Sequence, residues 1–520
     1  MGGRPVFILN EDTERTRGRD AQSSNIAAGK AVAEAVRTTL GPKGMDKMLV
    51  DDTGEVVITN DGVTILDKMD IEHPAAQMLV EVAQTQEDEV GDGTTTAAVL
   101  AGQLLAKAED LLEQDVHPTT IVQGYAEARR IATEAVEDLV LGEGVDDEQL
   151  TDVARSSMTG KGTGDIDAEA LAELVVDAVR HVEVDGAVDR DAIRLHTQPG
   201  PASSATELVE GVVVDEEPVR DDMPRRVEDA TILVLDGDLE TREASIDAEY
   251  TIESADQLTK AIEAEERELA GYARDIADAD VDVVFATGDI DDRVAAGLAA
   301  EDIVAFESMS SSDANAVAKS VGATQVGTIK DLDPADFGHA QTIRVESFGD
   351  DELAFVEGGA EAETVTLFVR GGTGHVSDEL ERAVGDSVDV VVAAINAGGV
   401  VPGAGASEMA MANAVRDAAA GIEGRQQLAV EAFADALDVI PRTLASNMGM
   451  DPIDALVDLR AASESEPGRA GLLAVGETGE IEDPVEAGVL DPAAVKREAV
   501  ESATEASTMI IRIDDVIAAQ

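Results

Sequence analysis

Residues 87–96 read Glu-Asp-Glu-Val-Gly-Asp-Gly-Thr-Thr-Thr, a run whose residue types could hold a phosphate. Apolar residues recur at helical spacing before it (Met78, Leu79, Val82, Ala83) and after it (Val99, Leu100, Leu104, Leu105). Gly91-Asp92-Gly93 is therefore expected to turn the chain between two helices, with Thr94, Thr95 and Thr96 opening the second. A helix N-terminus has unpaired N–H groups and the positive end of a dipole, which suit phosphate oxygens. Gly93 lets the backbone come close to a ligand, and the Asp92 carboxylate could hold a cation beside it. A glycine C-cap, a tight turn and a threonine N-cap would account for the same residues with no ligand.

Familiar nucleotide cradles are missing elsewhere. Gly29-Lys30 is followed by Ala31 and Gly160-Lys161 by Gly162, so neither makes a P-loop. Gly403-Ala404-Gly405 lacks the third glycine of a dinucleotide fingerprint, and no nucleophile-elbow Gly-x-Ser-x-Gly occurs. Other stretches could serve. Thr39 to Gly44 is a glycine-bearing turn after a helix, and Asp61 sits at the Asn60-Asp61-Gly62 corner. Ser157 to Gly162 gathers hydroxyls, glycines and Lys161, and Val401 to Gly405 precedes another helix start. Each by itself is an ordinary turn; their joint occurrence exceeds what loops require.

The 520 residues carry 109 acidic against 38 basic side chains, a net charge of −71. Such a surface repels nucleic acid and anionic membranes, so neither is expected as a partner. The acid is spread along the whole chain, and we read it as a hypothesis of adaptation to a high-salt interior, where screening shortens to ~3 Å at molar salt. The chain has no cysteine, and its six histidines are scattered, which excludes disulfides and argues against a zinc site. No apolar run nears the ~20 residues of a membrane span and no signal-peptide core opens the chain, so a cytoplasmic location is expected.

The elements that must position these groups change character along the chain. Helices are expected over Asp20 to Leu40, both sides of Asp92, and Thr119 to Leu141, with a hairpin from Met48 to Thr59 and a sharp corner at Asn60-Asp61-Gly62 before Val63 to Met69. The centre is strand-rich: Val281 to Phe285, a helix over Asp291 to Ala299, and Ile303 to Phe306 suggest a β-α-β unit. A strand over Ala323 to Val326 and three more from Thr342 to Val369 follow. Helices return over Glu379 to Ala397, Glu408 to Ala420, Gln427 to Asn447, Pro452 to Arg460 and Pro492 to Ile517. One helical domain made from both chain ends, with others inserted, is the natural inference.

At this point several long stretches, taken in order, resemble the group II chaperonins, the archaeal thermosome and its eukaryotic cytosolic relatives. They are Thr39 to Met48, Ile58 to Gly62, Gly91 to Thr96, Val400 to Gly405 and Ser502 to Val516. The resemblance runs from about Phe7 to Ala519. It implies a multidomain α+β and α/β chaperonin fold. A mainly helical equatorial ATPase domain would comprise residues 1–147 and 403–520. A small α/β intermediate hinge would take 148–210 and 371–402, and a β-rich apical substrate-binding domain 211–370, with a helical lid protrusion at about 251–274. It further implies ATP and Mg²⁺ as cofactors. Asp92 would hold the metal, and Gly93, Thr94, Thr95 and Thr96 the phosphates. Gly41 would lie along the nucleotide, Lys161 would sense the terminal phosphate, and Gly405 and Asp491 would contact the nucleoside. Asp386 would orient the attacking water, with Asp61 a second carboxylate near the γ-phosphate.

The implied partners are identical or paralogous subunits in a double ring, together with unfolded protein clients. Lys47 to Thr59 and Ile510 to Val516 would pair between neighbouring subunits. The implied function is ATP-driven enclosure and folding of non-native proteins; a structural, weakly hydrolysing subunit of a mixed ring is the alternative. Departures from the family pattern support that alternative: Ala404 stands where relatives usually have glycine, Ser387-Val388 replaces Ala-Leu, and no Gly/Met-rich tail follows.

Overall fold

The computed structural model describes residues 14–50, 54, 56–142, 144–161, 166–200, 206–240, 255–330, 332–349, 351–359, 364–476 and 478–518, the side chains of 14, 255–266, 375 and 518 aside. The chain starts with β1 (Glu14–Arg17), α1 (Arg19–Val36) and the antiparallel pair β2 (Lys47–Val50) and β3 (Val56–Thr59). Then come α2 (Gly62–Lys68), α3 (Pro74–Val90), α4 (Thr94–Glu113), α5 (Pro118–Glu137), α6 (Asp147–Met158) and α7 (Ala168–Val182). The central stretch holds β4 (Ile193–Pro199), β5 (Glu207–Val209), β6 (Gly211–Val214), β7 (Arg226–Leu235), α8 (Ala255–Asp278) and β8 (Val283–Ala286). It continues through α9 (Asp292–Ala300), β9 (Val304–Phe306), α10 (Ser311–Val321), β10 (Gly338–Phe348), β11 (Asp351–Gly359) and β12 (Val365–Gly371). The final third comprises α11 (Gly374–Asn396), β13 (Val400–Pro402), α12 (Ala406–Ala419), α13 (Arg425–Leu437), α14 (Val439–Asn447) and α15 (Pro452–Ser463). It ends with β14 (Gly471–Val475), β15 (Thr478–Glu482), β16 (Leu490–Pro492), α16 (Ala493–Ile511) and β17 (Asp515–Ala518).

These elements form two compact units. One is made from residues 1–176, 185–188 and 378–520, the other from 177–184 and 189–377. The first is a helical body whose axis is α4. Ala97, Val99, Leu100, Ala101, Leu104, Leu105, Ala108 and Leu111 are all buried, so α4 is apolar on most of its circumference, as an interior helix must be. Tyr125 of α5 packs edge-on against Phe433 of α13 at 5.5 Å, and its hydroxyl donates to the Leu104 carbonyl at 2.8 Å, which satisfies a fully buried polar group. Helix starts follow local chemistry: His73 and His117 accept backbone N–H groups ahead of Pro74 and Pro118, and Asp146 with Gln149 forms a capping box.

The second unit is built on a six-stranded sheet in the order β6-β11-β10-β7-β8-β9. Strands β7, β8 and β9 run parallel and are linked through α8 and α9; the other neighbours are antiparallel. Along β7, Ile232 and Val234 join one core with Phe285, Phe306 and Val317 of α10, whereas Leu233 and Leu235 join another with Leu269 and Ile276 of α8. Both faces are covered, so the strand reads as a continuous apolar run with no alternation. A smaller sheet, β4-β12-β5, completes this unit.

Three sequence expectations are corrected. Gln427 to Asn447 is two helices, α13 and α14: Pro441 lacks an N–H and its ring crowds the carbonyl four residues back at Leu437, so the chain breaks at Asp438. Asp438, 3% exposed, is held there by the guanidinium groups of Arg416 and Arg460. Ala323 to Val326 is no strand; only Val326 bridges to Leu235. Pro492 to Ile517 is not one helix either, because α16 ends at Ile511 and β17 pairs antiparallel with β1 of the same chain. Of the stretch 251–274, residues 251–254 lie outside the described residues and the rest belongs to α8. The turn between β2 and β3 also falls outside them in part. Among the described residues no helix is long and apolar enough to cross a membrane.

Candidate functional site

Gly91 ends α3 in the left-handed conformation (φ 68°), its N–H donating to the Glu87 carbonyl at 2.8 Å. A side chain here would collide with Asp389 of α11, so a glycine is what brings α11 against the corner, one helical turn from Asp386. Gly93 (φ 83°) precedes α4 as its N-cap, and Thr94 is the first helical residue. The threonine cap expected of a ligand-free turn is therefore not made. Gly93 has no side chain to satisfy the first N–H groups of α4, which leaves them for an outside acceptor.

Buried Gln86 fixes this corner. Its Nε2 donates to the Asp92 carbonyl at 2.8 Å and to the Val495 carbonyl at 3.3 Å. Asp61 caps α2, accepting from Thr64 N–H at 2.7 Å and Val63 N–H at 3.4 Å. The starts of α2 and α4 meet: a Cβ on Gly62 would lie 2.5 Å from Thr95 Oγ1. Asn60 donates to the Gly160 carbonyl at 2.7 Å and so ties the turn carrying Lys161 to the Asp61 corner. Lys161 in turn forms a largely buried ion pair with Asp386.

The electrostatics are those of a crowded anionic site. Burial pushes the Glu87 carboxyl up to about 9, with help from the charges of Asp386, Asp61 and Asp92 and against Lys161. Burial likewise pushes Asp386 up to about 6; Lys161 pulls it down, and Asp92 and Asp61 add to the rise. For Lys161, burial opposes the charge, but Asp386, Asp92 and Asp61 override it and hold the ammonium above its ordinary range. Carboxylates thus outnumber cations here, and an added cation would relieve the repulsion.

No three acidic or histidine side chains among the described residues converge as a metal-ligand set. That donor set does not suit a caged ion such as structural Ca²⁺. It fits Mg²⁺, which is commonly held by one or two carboxylates, water and substrate phosphates. The adjoining cavity is about 330 Å³ and is lined by Gly41, Asp61, Asp92, Gly93, Thr94, Thr95, Thr96, Lys161, Gly405 and Asp491. Leu40, Ile440, Leu444, Leu472 and Val489 give it an apolar wall. Asp386 reaches the site through Lys161.

At the far end, Gly405 (φ 77°) starts α12 and Ala404 adopts φ 55°, a left-handed conformation for a residue with a Cβ. The Leu472 N–H donates to the Ala404 carbonyl at 2.9 Å, and Gly471 leaves room for the Ala404 methyl. Asp491 sits on β16 opposite Val401 of β13. Gln86, Asn60, Glu87, Lys496 and the β14 residues were not singled out from sequence. Gln86 left a signal: it falls on the apolar seam of α3 after Leu79, Val82 and Ala83, where a polar residue needs a partner.

An uncapped helix start beside carboxylates, a lysine and an apolar-walled cleft has the chemistry to receive a phosphate-bearing ligand with an apolar part. Comparison with known proteins gives the class to which this arrangement belongs. The model of the TCP-1/cpn60 chaperonin family matches residues 32–520, and the chain belongs to that family. It is a group II chaperonin subunit. It is 66% identical to "Thermosome subunit 3" of Haloferax volcanii over 518 residues, 99% of each chain. It is 52% identical to "Thermosome subunit alpha" of Halobacterium salinarum over all of this chain and 92% of that one. The identity to "Thermosome subunit beta" of Methanothermobacter thermautotrophicus is 49%, over 100% of this chain and 96% of that one. The acidic composition accords with the haloarchaeal source of the first two.

Proposed function

We propose that this subunit hydrolyses ATP with Mg²⁺ in the cavity beside α4, and that hydrolysis drives closure of a folding chamber. The observation that carries the proposal is the gathering of Asp61, Asp92, Asp386 and Lys161 around an uncapped helix N-terminus. Phosphoryl transfer depends on positioning and charge neutralisation more than on covalent help. The N–H groups of Thr94, Thr95 and Thr96 would bind phosphate oxygens, and the Thr94 to Thr96 hydroxyls would add donors. When bound through Asp92, Mg²⁺ would neutralise phosphate charge and polarise the bond to be broken. Asp386, ionised above about pH 6, would accept a hydrogen bond from the attacking water and orient it. Lys161 would exchange its pairing with Asp386 for the terminal phosphate, and Asp61 would steady the water from the α2 side. The apolar wall would exclude solvent from the base, with Gly41 and Gly405 allowing its approach and Asp491 accepting from the ribose.

In this reading the equatorial domain comprises 1–147 and 403–520, the intermediate hinge 148–210 and 371–402, and the apical domain 211–370, with the lid in the stretch 251–274. The exposed apolar residues Met48, Val50 and Ile58 of the β2–β3 hairpin fit a strand pairing with a neighbouring subunit. Double rings of cytoplasmic subunits would enclose unfolded clients. Electron microscopy of the purified chain with and without ATP tests this: open double rings that close with ATP are expected, and a monomer or dimer under both conditions would refute it.

A second reading, a weakly hydrolysing subunit of a mixed ring, draws support from Ala404. Relatives from Haloferax volcanii include "Thermosome subunit 1", "2" and "3", so several paralogous subunits coexist in one organism. Left-handed alanine costs about 1 kcal/mol. Ala404 already holds this angle without ligand, so Ala404→Gly should raise stability to urea by about 1 kcal/mol, and tighter ATP binding by calorimetry would show that the methyl also crowds the nucleotide. Unchanged affinity would mean that Ala404 does not limit the site.

A further inference from the structure

Lys496 lies in the first turn of α16 with its ammonium between two carboxylates, 2.8 Å from Glu408 Oε1 and 2.7 Å from Asp491 Oδ2. The Lys496 side chain is 11% exposed and that of Glu408 only 3%. Burying such ions costs several kcal/mol each unless they are well paired, so the arrangement calls for a reason. Burial opposes the lysine charge, but Asp491 and Glu408 override it and keep the ammonium protonated well beyond neutral pH.

The three residues come from three segments that wall one end of the cavity. Asp491 sits on β16, Glu408 in the first turn of α12 directly after Gly403-Ala404-Gly405, and Lys496 on α16. Glu408 Oε2 is buried with no hydrogen-bond partner among the described residues, so Glu408 is occupied on one oxygen only, by Lys496. Asp491 differs: its side chain keeps 26% exposure and lines the cavity, while one of its oxygens is taken by Lys496. A carboxylate free to rotate discriminates poorly between neighbouring hydroxyls; one pinned by an ammonium presents its remaining lone pairs in a single orientation.

We propose that Lys496 is the positioning residue for ribose recognition: it pins the Asp491 carboxylate so that the site selects ribonucleotides over deoxyribonucleotides, with Glu408 as its buried counter-ion. The proposal rests on the reading of this cavity as a nucleotide site. It assigns the substrate class as nucleotides that carry the ribose hydroxyl Asp491 accepts. Lys496 acts through Asp491 and not on the phosphates, so its loss weakens binding without changing how the γ-phosphate is attacked.

The test is the affinity of the full-length protein for ATP, 2′-deoxy-ATP and 3′-deoxy-ATP, with melting curves as a check on folding. The wild type should bind ATP about tenfold to a hundredfold more tightly than whichever analogue lacks the accepted hydroxyl, as expected for a hydrogen bond to a charged group. Lys496→Met combined with Glu408→Gln removes both charges together and leaves neither Lys496 nor Glu408 as an unpaired ion. In it the discrimination should fall to within about threefold, through loss of ATP affinity, with kcat nearly kept. Lys496→Gln, a milder change that retains a donor, is the second variant and should move the ratio the same way. In the Asp491→Asn background either change should add nothing to the ratio. A merely structural role for Lys496 would lower the melting temperature and leave the ratio alone. Wild-type discrimination in either folded variant, or no discrimination in the wild type, overturns the proposal. A wild type that binds no ATP at all overturns the nucleotide reading instead.

Discussion

Replacing Gly93 by alanine tests how closely the corner is built. Gly93 has φ 83°, where a Cβ brings a steric penalty of about 1–2 kcal/mol. The new Cβ would also lie 2.8 Å from Val495 Cγ1 and 2.9 Å from Gln86 Nε2, distances at which something must shift. Overpacking of this kind typically costs about 1–3 kcal/mol. The atom displaced is the one that donates to the Asp92 carbonyl, so the strain falls on the corner that carries Asp92. The sum is about 2–5 kcal/mol, shared between folding and the binding geometry. Gly424→Ala is the control: φ is 77° there too, but an added Cβ meets nothing within 4 Å. Urea denaturation and ATP calorimetry on both variants separate the two contributions. Gly424→Ala should lose about 1 kcal/mol of stability and bind ATP as before. Gly93→Ala should lose more and bind ATP roughly tenfold to a hundredfold more weakly, one tenfold step per 1.4 kcal/mol. If Gly93→Ala matches the control in both assays, the account of the corner is wrong.

Other expectations concern charge. Asp386 is raised to about 6 in the folded chain, so its carboxylate form is lost as pH falls through that value, and turnover should drop about tenfold per unit below it. Stability responds with the opposite sign: a carboxyl whose folded value exceeds its unfolded value favours the fold as pH falls from about 6 towards the ordinary carboxylate range. Asp386→Asn should abolish that contribution, and an acid limb well away from pH 6 in a Mg²⁺-saturated wild type would assign the limb to another group. Because the net charge is −71, the melting temperature should fall as potassium chloride is lowered from molar to millimolar; a constant or rising value would contradict the salt-adaptation hypothesis.

What the sequence revealed followed from local physics. The helices flanking Asp92, the β2–β3 hairpin and the β8-α9-β9 unit all have strong periodicity and clear stops, and the structure has them. The division of Gln427 to Asn447 was also written locally, in Pro441, and was overlooked because the apolar seam continues through it. Elements missed outright include the helices α6 and α7 and the short strands β13 and β16, three residues each, which pair far along the chain where Val401 meets Asp491. No local pattern announces such a pairing. The same holds for the polar positioning groups. Gln86 bonds the Val495 carbonyl 409 residues away, and Lys496 bonds Glu408 88 residues away. Their residue types show that partners are needed and not where those partners lie. Gly91, Asp92 and Gly93, by contrast, sit in a stretch that resembles a family, and that resemblance pointed to Lys161 and Asp386, whose nearness to each other no spacing rule could supply.

The most direct measurement is steady-state ATP hydrolysis with parallel ATP-binding calorimetry on the wild type and Asp386→Ala in molar potassium chloride and Mg²⁺. We expect the wild type to turn over ATP and Asp386→Ala to bind it with near-wild-type affinity while losing at least about a hundredfold in kcat, the usual scale for a positioned acid–base group. Full turnover in Asp386→Ala would contradict the role of this carboxylate, and a wild type that neither binds nor hydrolyses ATP would contradict the account as a whole.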